Sequence, residues 1–533
     1  MRFGMMALAA ATAIGLVVTS AGREAQAQTP RDTVVMAKAI DDIISMDPAE
    51  SFEFSGSEAI GNVYNKLLTF NLKNVSEIRG ELAQSWSVAD DGKTYTFKMR
   101  PGVKFHSGNP VTAADAAYSL QRAVILNKSP GFILTQFGFT KDNAKDKIKA
   151  TGADTLVIET DRPVAPTFFY YCLTAVVGSV VDSKTVMANE KNGDFGNDWL
   201  KTNSAGSGPY KLRSWRANES YTLDANEQYW AGAPKNKRVV VRHIKEPSSQ
   251  RLLLEKGDVD YARNLSKDQL DALASNSGIK IDKGLKGAIF YISLNQKNPI
   301  LAKPEVREAL KWLTDYDGIQ KNIVSATHSI HQSFLPIGFL GAIEDRPYKF
   351  DLAKGKELLA KAGYPNGFNV TMDMRTAYPA QEIAQAVQAN WAQAGVKLEL
   401  IPGDGKQTLT KYRARTHDMY IGQWGPDYQD PHTNAETFAM NPDNGDDAKS
   451  KTLAWRNAWD IPDMTKRTAA AVTERDAKKR EQIYQELQRE HQKVSPFIIM
   501  FQETEVVARR ANVDGFVIGP SFDNNFYMNI AKK

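Results

Sequence analysis

Between residues 368 and 400 the apolar positions change period twice. Phe368, Val370, Met372 and Met374 alternate with polar neighbours, which predicts a strand over 368–374. Ile383, Ala386, Val387, Asn390, Trp391 and Ala394 then recur at helical spacing, which predicts a helix over 379–394 stopped by Gly395. Val396, Leu398 and Leu400 alternate again. Strand, helix and strand in that order predict a βαβ unit with parallel strands. A further apolar run, 419–421, reads as a strand and leads into Trp424-Gly-Pro-Asp-Tyr-Gln-Asp-Pro431, whose Gly, Pro and Asp content marks a loop. Open α/β sheets hold ligands at the carboxyl ends of their strands. Arg375 and Asp427 both fall at such ends, and Trp424, Gly425 and Tyr428 stand beside Asp427. A guanidinium fork matches a carboxylate and an aspartate accepts from an ammonium, so the pair suits the two ends of a zwitterion. The same two charges also suit a structural salt bridge, and the two aromatic rings suit either a ligand cover or core.

Elsewhere the pattern alternates between the same two periods. Residues 33–39 read as a first strand. Ala59, Ile60, Val63, Tyr64, Leu67 and Leu68 form one helix face, with Ser55 or Ser57 as its N-cap. Phe52, Phe54 and Ser55 precede that face and suit a cleft lining or core. Trp86 and Val88, then Tyr95, Phe97 and Met99, alternate on either side of Asp91-Gly92, which predicts a hairpin. Thr112 with Asp115 three residues on predicts a capping box. Val306, Ala309, Leu310 and Leu313 make a helix face with Pro304 in its first turn. Asp351 caps a helix over 352–362 that Gly363 ends. A helix over 473–491 and two closing strands, 496–501 and 506–508, complete the reading.

Composition then narrows the setting. Arg2, the small apolar run 3–20 and Ala25-Gln-Ala27 predict a signal peptide over 1–27, with the mature chain starting at Gln28. No other segment approaches the ~20 apolar residues needed to span a bilayer. The one cysteine, Cys172, lies in an apolar run and reads as a buried structural thiol. It is not at the cleavage site, so no lipid anchor is expected, and a Gram-negative periplasm is. A chain of 533 residues exceeds what one core supports, so two or three lobes are expected. The net charge of +5 is spread among mixed signs, which argues against nucleic acid as a partner. His328 and His331 have the i, i+3 spacing of metal ligands, but no cysteine or carboxylate cluster accompanies them, so neither metal nor cofactor is expected. Asp427 and Asp430 carry no mark of a glycosidase pair, and Gly403-Asp-Gly-Lys-Gln-Thr is not a P-loop. An enzyme is not expected, with an exported hydrolase as the remote alternative.

The run from Leu82 to Ser119, including TYTFKMRPGVKFHSGNPVTAADAAYS, resembles the signature of solute-binding proteins of the peptide/nickel class of ABC importers, the dipeptide- and oligopeptide-binding family. Gly206-Ser-Gly-Pro-Tyr210 with Trp215, Asn226 and Tyr229-Trp230 agrees, as do the block from Pro304 and Val513-Asp-Gly-Phe516. Asp315-Tyr316-Asp317 departs from the family's usual Asp-Arg pair. The resemblance covers nearly the whole mature chain. It implies an α/β, periplasmic-binding-protein-like fold of the cluster C type, with three interleaved lobes and a hinge between two of them. The lobe I segments are expected at 28–70, 190–275 and 497–533, lobe II at 71–189 and lobe III at 276–496. It implies capture of a di- or oligopeptide, or a related zwitterion, by hinge closure, and delivery to the transmembrane subunits of an ABC permease by a monomer. Asp427 matches the family's ammonium-pairing aspartate. Arg375 matches the carboxylate-pairing arginine of the dipeptide branch, although the segment from it to Asn390-Trp391 is one residue shorter. Opines, oligosaccharides, glutathione, haem and nickel complexes remain open as ligands.

Overall fold

The computed structural model describes residues 29–533 apart from 377, 404 and 449. The leader expected over 1–27 lies outside them. An eleven-stranded sheet runs through the molecule, in the order Lys397–Gly403, Asn369–Arg375, Met419–Trp424, Ile279–Leu294, Phe497–Arg510, Tyr261–Ala262, Thr33–Lys38, Arg238–His243, Ser220–Ala225 and Tyr210–Arg216. The short strand His328–Ile330 adds to Phe497–Arg510 off this path. The expected βαβ unit is present. Asn369–Arg375 and Lys397–Gly403 pair in parallel around the helix Ala380–Ala392, and Met419–Trp424 lies parallel on the other side. Trp391 is fully buried beneath that helix, among Met372, Ile383 and Val387.

Two long strands join the halves of the sheet. Ile279–Leu294 pairs antiparallel with Phe497–Arg510 from Ile279↔Arg510 to Leu285↔Thr504, then again from Ile289↔Gln502 to Ser293↔Phe497. The register shifts between Leu285 and Ile289. An extra stretch on one strand bends a ladder and adds twist, so Lys286, Gly287 and Ala288 form a hinge-like break between the halves. Ala288 to Leu294 is buried at every position, as expected of a central strand covered on both faces. One face meets the core around Trp391 and the other the core around Tyr291, Phe438 and Phe497.

A separate four-stranded antiparallel sheet, in the order Ala83–Val88, Thr94–Met99, Thr155–Glu159, Ile148–Ala150, forms another body. Its hairpin turns at Gly92, whose φ of +67° is open to glycine at little cost. The helix Ala113–Leu126 packs on it and starts with the expected Thr112–Asp115 capping box. Cys172 is fully buried in this body, and burial pushes its thiol up, as a structural role requires. The fold is therefore lobed and α/β.

Five local expectations are corrected. The helix predicted to begin after Ser55 or Ser57 spans Phe54–Val63, with no serine cap, because the distant Asp42 carboxylate accepts the Ser55 N–H at 2.9 Å. Leu68 belongs instead to the strand Leu68–Asn71. The helix predicted from 473 starts at Ala477, where the Asp476 side chain accepts from the Lys478 and Lys479 N–H groups. The two closing strands are one, Phe497–Arg510, because its polar middle is paired rather than solvated. Gln502 donates there to the Lys286 and Ile337 carbonyls, and Glu505 pairs with Arg263 and Lys286. The strand predicted over 419–421 runs on to Trp424.

Candidate functional site

The loop after Met419–Trp424 closes one wall of a cleft that is open to solvent. Trp424, Gly425, Pro426, Asp427, Tyr428 and Gln429 line it from one side. Phe52, Phe54 and Phe522 face them from elements of the other half, and Lys286, Gly287 and Ala288 form its floor. The lining is mainly aromatic and aliphatic with a few polar groups, the usual make-up of a small-ligand site. The two walls touch: a Cβ on Gly425 would lie 3.3 Å from the Phe54 ring. Phe54 in turn stacks on Phe522 with centroids 4.4 Å apart.

Asp427 is the charged group of this wall that lacks a partner. Its N–H donates to Thr433 Oγ1 at 3.1 Å, and its half-buried carboxylate accepts no hydrogen bond from the described residues. Burial, followed by the Glu436 carboxylate, pushes it up to about 7, with Arg456 acting in the opposite direction. Close to it, Trp424 Nε1 and Gln429 Oε1 are buried without partners. A carboxylate left unpaired in an apolar cleft is costly unless something fills it.

The second aspartate of the loop is structural. Asp430 is gripped by Arg480 in a bidentate pair, and Arg480 also donates to Thr167 Oγ1 at 3.2 Å. That pair fixes the end of the loop and leaves Asp427 as its free carboxylate. Tyr428 is 4 % exposed and packs its ring 5.8 Å from Phe168, within the core of the four-stranded body. It lines the cleft and also docks the loop onto that body.

The structure brings together Phe54, Trp424, Gly425, Asp427 and Tyr428, but not Arg375 or Ser55. Ser55 is buried in the helix Phe54–Val63, where it faces a second, more polar groove. The exposed Arg375 lies by the Tyr420 hydroxyl and does not line the Asp427 cleft. The reading of Arg375 and Asp427 as facing cations and anions across one cleft is corrected to that extent. The reason is register: Arg375 pairs with Gly403, whereas Asp427 lies beyond the end of a strand that runs three residues further than expected.

Lys286, Phe522 and Gln429 were missed. Lys286 sits in a register break, Phe522 comes from the far C-terminal segment, and neither leaves a periodic signal in the sequence. The Lys286 ammonium binds the Gly519 carbonyl, Asn525 Oδ1 and Glu505, each at 2.8 Å, and lies 4.6 Å from the Phe522 ring centroid. Glu505 and Glu58 share Arg263, and Lys38 adds to Glu58 at 2.6 Å. This buried network ties the hinge strand to the first half of the sheet. One ring nitrogen of each histidine in the pair meets a neighbouring oxygen. His331 Nε2 meets the Leu335 carbonyl at 2.9 Å, His328 Nδ1 meets Thr327 Oγ1 at 3.0 Å, and no cluster of three or more metal-ligating side chains occurs among the described residues.

A lobed α/β body with a mainly apolar cleft beside a break in its central ladder is the architecture of a solute-binding protein. The profile of the bacterial extracellular solute-binding proteins, family 5 Middle, matches residues 77–446, and the chain belongs to that family. It is 27 % identical over 531 residues to the probable D,D-dipeptide-binding periplasmic protein DdpA of Escherichia coli, covering 98 % of each chain. It is 26 % identical over 496 residues to the glutathione-binding protein GsiB of Salmonella typhimurium, covering 90 % of this chain and 92 % of that one. The ABC transporter-associated periplasmic binding protein DppA from Helicobacter pylori, solved with the peptide STSA, superposes with a TM-score of 0.78 at 26 % identity, covering 94 % and 98 % of the two chains. DdpA and DppA are named as periplasmic binding proteins. Among the described residues, no helix is long and apolar enough to cross a membrane.

Proposed function

We propose that this protein captures a di- or oligopeptide, or a related amine-bearing solute, in the periplasm and presents it to the transmembrane subunits of an ABC permease. The observation that carries this is the Asp427 carboxylate, half-buried and unpaired in a cleft of apolar walls. An ammonium supplies the missing charge and donors without reading a side chain. Trp424, Phe54 and Tyr428 cover its apolar parts.

Capture is a rotation of lobe III, 276–496, about residues 285–289 and 502–504, where the paired strands lose register. Lobe I is built from 28–70, 190–275 and 497–533, and lobe II from 71–189. Closure makes the contact between Gly425 and Phe54, and a ligand that binds only the closed form shifts the population by its differential affinity. In this reading the chain acts as a monomer, is exported by a leader over 1–27, and carries out no chemistry on its ligand.

Calorimetry with di-, tri- and pentapeptides, each free and N-acetylated, tests the reading. Binding of the free peptides and its loss on acetylation is expected. Equal binding of both forms, or binding of sugars or nickel–histidine alone, overturns it.

A further inference from the structure

Among the described residues, three charged side chains line the Asp427 cleft, and two of them are already occupied. The Lys286 side chain is 1 % exposed. Its ammonium meets the Gly519 carbonyl, Asn525 Oδ1 and Glu505, each at 2.8 Å, and the Ser521 carbonyl at 3.3 Å, which leaves it no donor for a ligand. Asp523 is held by Lys66 at 2.8 Å. Asp427 is the third. Arg456 acts on it from outside the lining and lies 5.4 Å from the Tyr412 ring centroid. Of the neutral polar side chains in the lining, Thr174 and Ser521 donate their hydroxyl protons to the Tyr171 carbonyl and to Asp523. Ser57 and Gln429 remain, and neither carries a charge.

Most of the other lining is aromatic. Phe52, Phe54, Phe70, Trp424, Tyr428 and Phe522 all reach the cleft. Ile133 and Val177 continue its wall from the core of the four-stranded body. Phe54 keeps 47 % of its surface open although it stacks on Phe522. Phe52 meets the exposed Phe132 edge-on, with centroids 6.0 Å apart. Ring surface left open in a concave wall is what an apolar ligand body covers. An ammonium placed there gains the Asp427 charge and the attraction of the ring faces. A ligand carboxylate placed there loses water and meets no cation with a free donor, which is unfavourable.

We propose that the ligand of this cleft is a monocationic amine with an apolar, ring-bearing body and no acid group, such as a hydrophobic peptide with an amidated C-terminus or an arylalkyl amine. This rests on the reading of Asp427 as the amine's partner and narrows it: a zwitterion of the same size is the poorer ligand.

Calorimetry on the unmodified protein with five probes tests this. Leucyl-phenylalanine amide is expected to bind about tenfold or more tightly than leucyl-phenylalanine, whose carboxylate goes unpaired. The same margin is expected over alanyl-alanine amide, which lacks the apolar body. 2-Phenylethylamine, with an amine and a ring but no peptide bond, is expected to bind, and N-acetyl-leucyl-phenylalanine amide is not. Leucyl-phenylalanine binding as tightly as its amide, or more tightly, overturns the inference. If acetylation still abolishes binding in that case, the Asp427 reading stands without it. Equal binding of the amide and its acetylated form removes the Asp427 reading and this inference with it. Binding of 2-phenylethylamine without binding of any peptide keeps the inference and removes the peptide reading. Binding of neither 2-phenylethylamine nor leucyl-phenylalanine amide overturns the inference. Phe52 is half-buried and outside any helix or strand, so Phe52→Ala is expected to fold. In that variant the advantage of leucyl-phenylalanine amide over alanyl-alanine amide should shrink severalfold, and an unchanged advantage overturns the placing of the apolar body against these rings.

Discussion

Arg480 holds Asp430 by two bonds of 2.6 Å, and neither side chain is more than 1 % exposed. The pair joins the helix Ala477–Val494 to the end of the loop that carries Asp427. Burying two charges costs several kcal/mol each, which their fork-to-carboxylate geometry and the further bonds to Ala471, Thr167 and Tyr484 offset.

Arg480→Ala leaves Asp430 buried and alone. The expected loss is about 3–5 kcal/mol, the range for breaking a buried pair from one side. Urea unfolding followed by circular dichroism checks it, and a midpoint close to that of the unmodified protein would show that Asp430 finds water or another partner.

Asp427→Asn keeps the shape of the wall and removes its charge. Binding of free-amine peptides is expected to weaken about 10- to 150-fold. The ligand-free variant should also respond differently to pH. Burial raises the Asp427 carboxyl from 3.8 to about 7, so the folded state holds a proton there that the unfolded chain has lost. That contribution to stability is fully present below about 3.8 and is lost as pH rises through 7. The substituted amide does not titrate and has no such loss, so the variant should melt at a higher temperature than the unmodified protein at pH 8, and the gap should shrink towards pH 5. Thermal melts at the two pH values, without ligand, decide this.

Histidines should dominate the acid limb. Burial lowers His106, His328, His331 and His417 to about 4 and His432 to about 3, with His491 also well below its ordinary value. Each stays neutral in the fold while its unfolded counterpart charges below 6.5. Stability from these groups is present above 6.5 and is lost as pH falls towards their folded values. Asp427 and Glu503, both raised to about 7 by burial, act in the opposite direction, as do Glu81 and Glu436, also raised by burial. Six histidines outnumber these four carboxyls, so the melting temperature should fall from pH 6.5 to 4.5. A flat or rising profile would mean that the buried rings are hydrated.

Gly425→Val tests closure. The added branch meets the Phe54 ring across the cleft, so the closed form is penalised and the open form is not. Ligand affinity is expected to fall about tenfold or more, for a cost near 1.4 kcal/mol, while the ligand-free melting temperature stays within about 2 °C. Small-angle scattering with and without ligand should show less compaction than in the unmodified protein. Unchanged affinity would mean that Phe54 swings aside.

The chain's own pattern determined the parts that rest on local period and local chemistry. The strand ending at Arg375, the helix over Trp391, the Thr112–Asp115 capping box and the turn at Gly92 were legible because each depends on residues within a turn or two of one another. The loop bearing Asp427 was legible for the same reason, its Gly, Pro and Asp content being a property of eight consecutive residues. What only the tertiary structure decided involves partners far apart in the chain. Asp42 caps the helix that Ser55 was expected to cap. Gln502 and Glu505 look like a polar interruption until Lys286, Ile337 and Arg263 meet them and turn two strands into one hinge strand. Asp427 and Asp430 are equivalent in the sequence, and Arg480, fifty residues away from the second, makes one structural and leaves the other free.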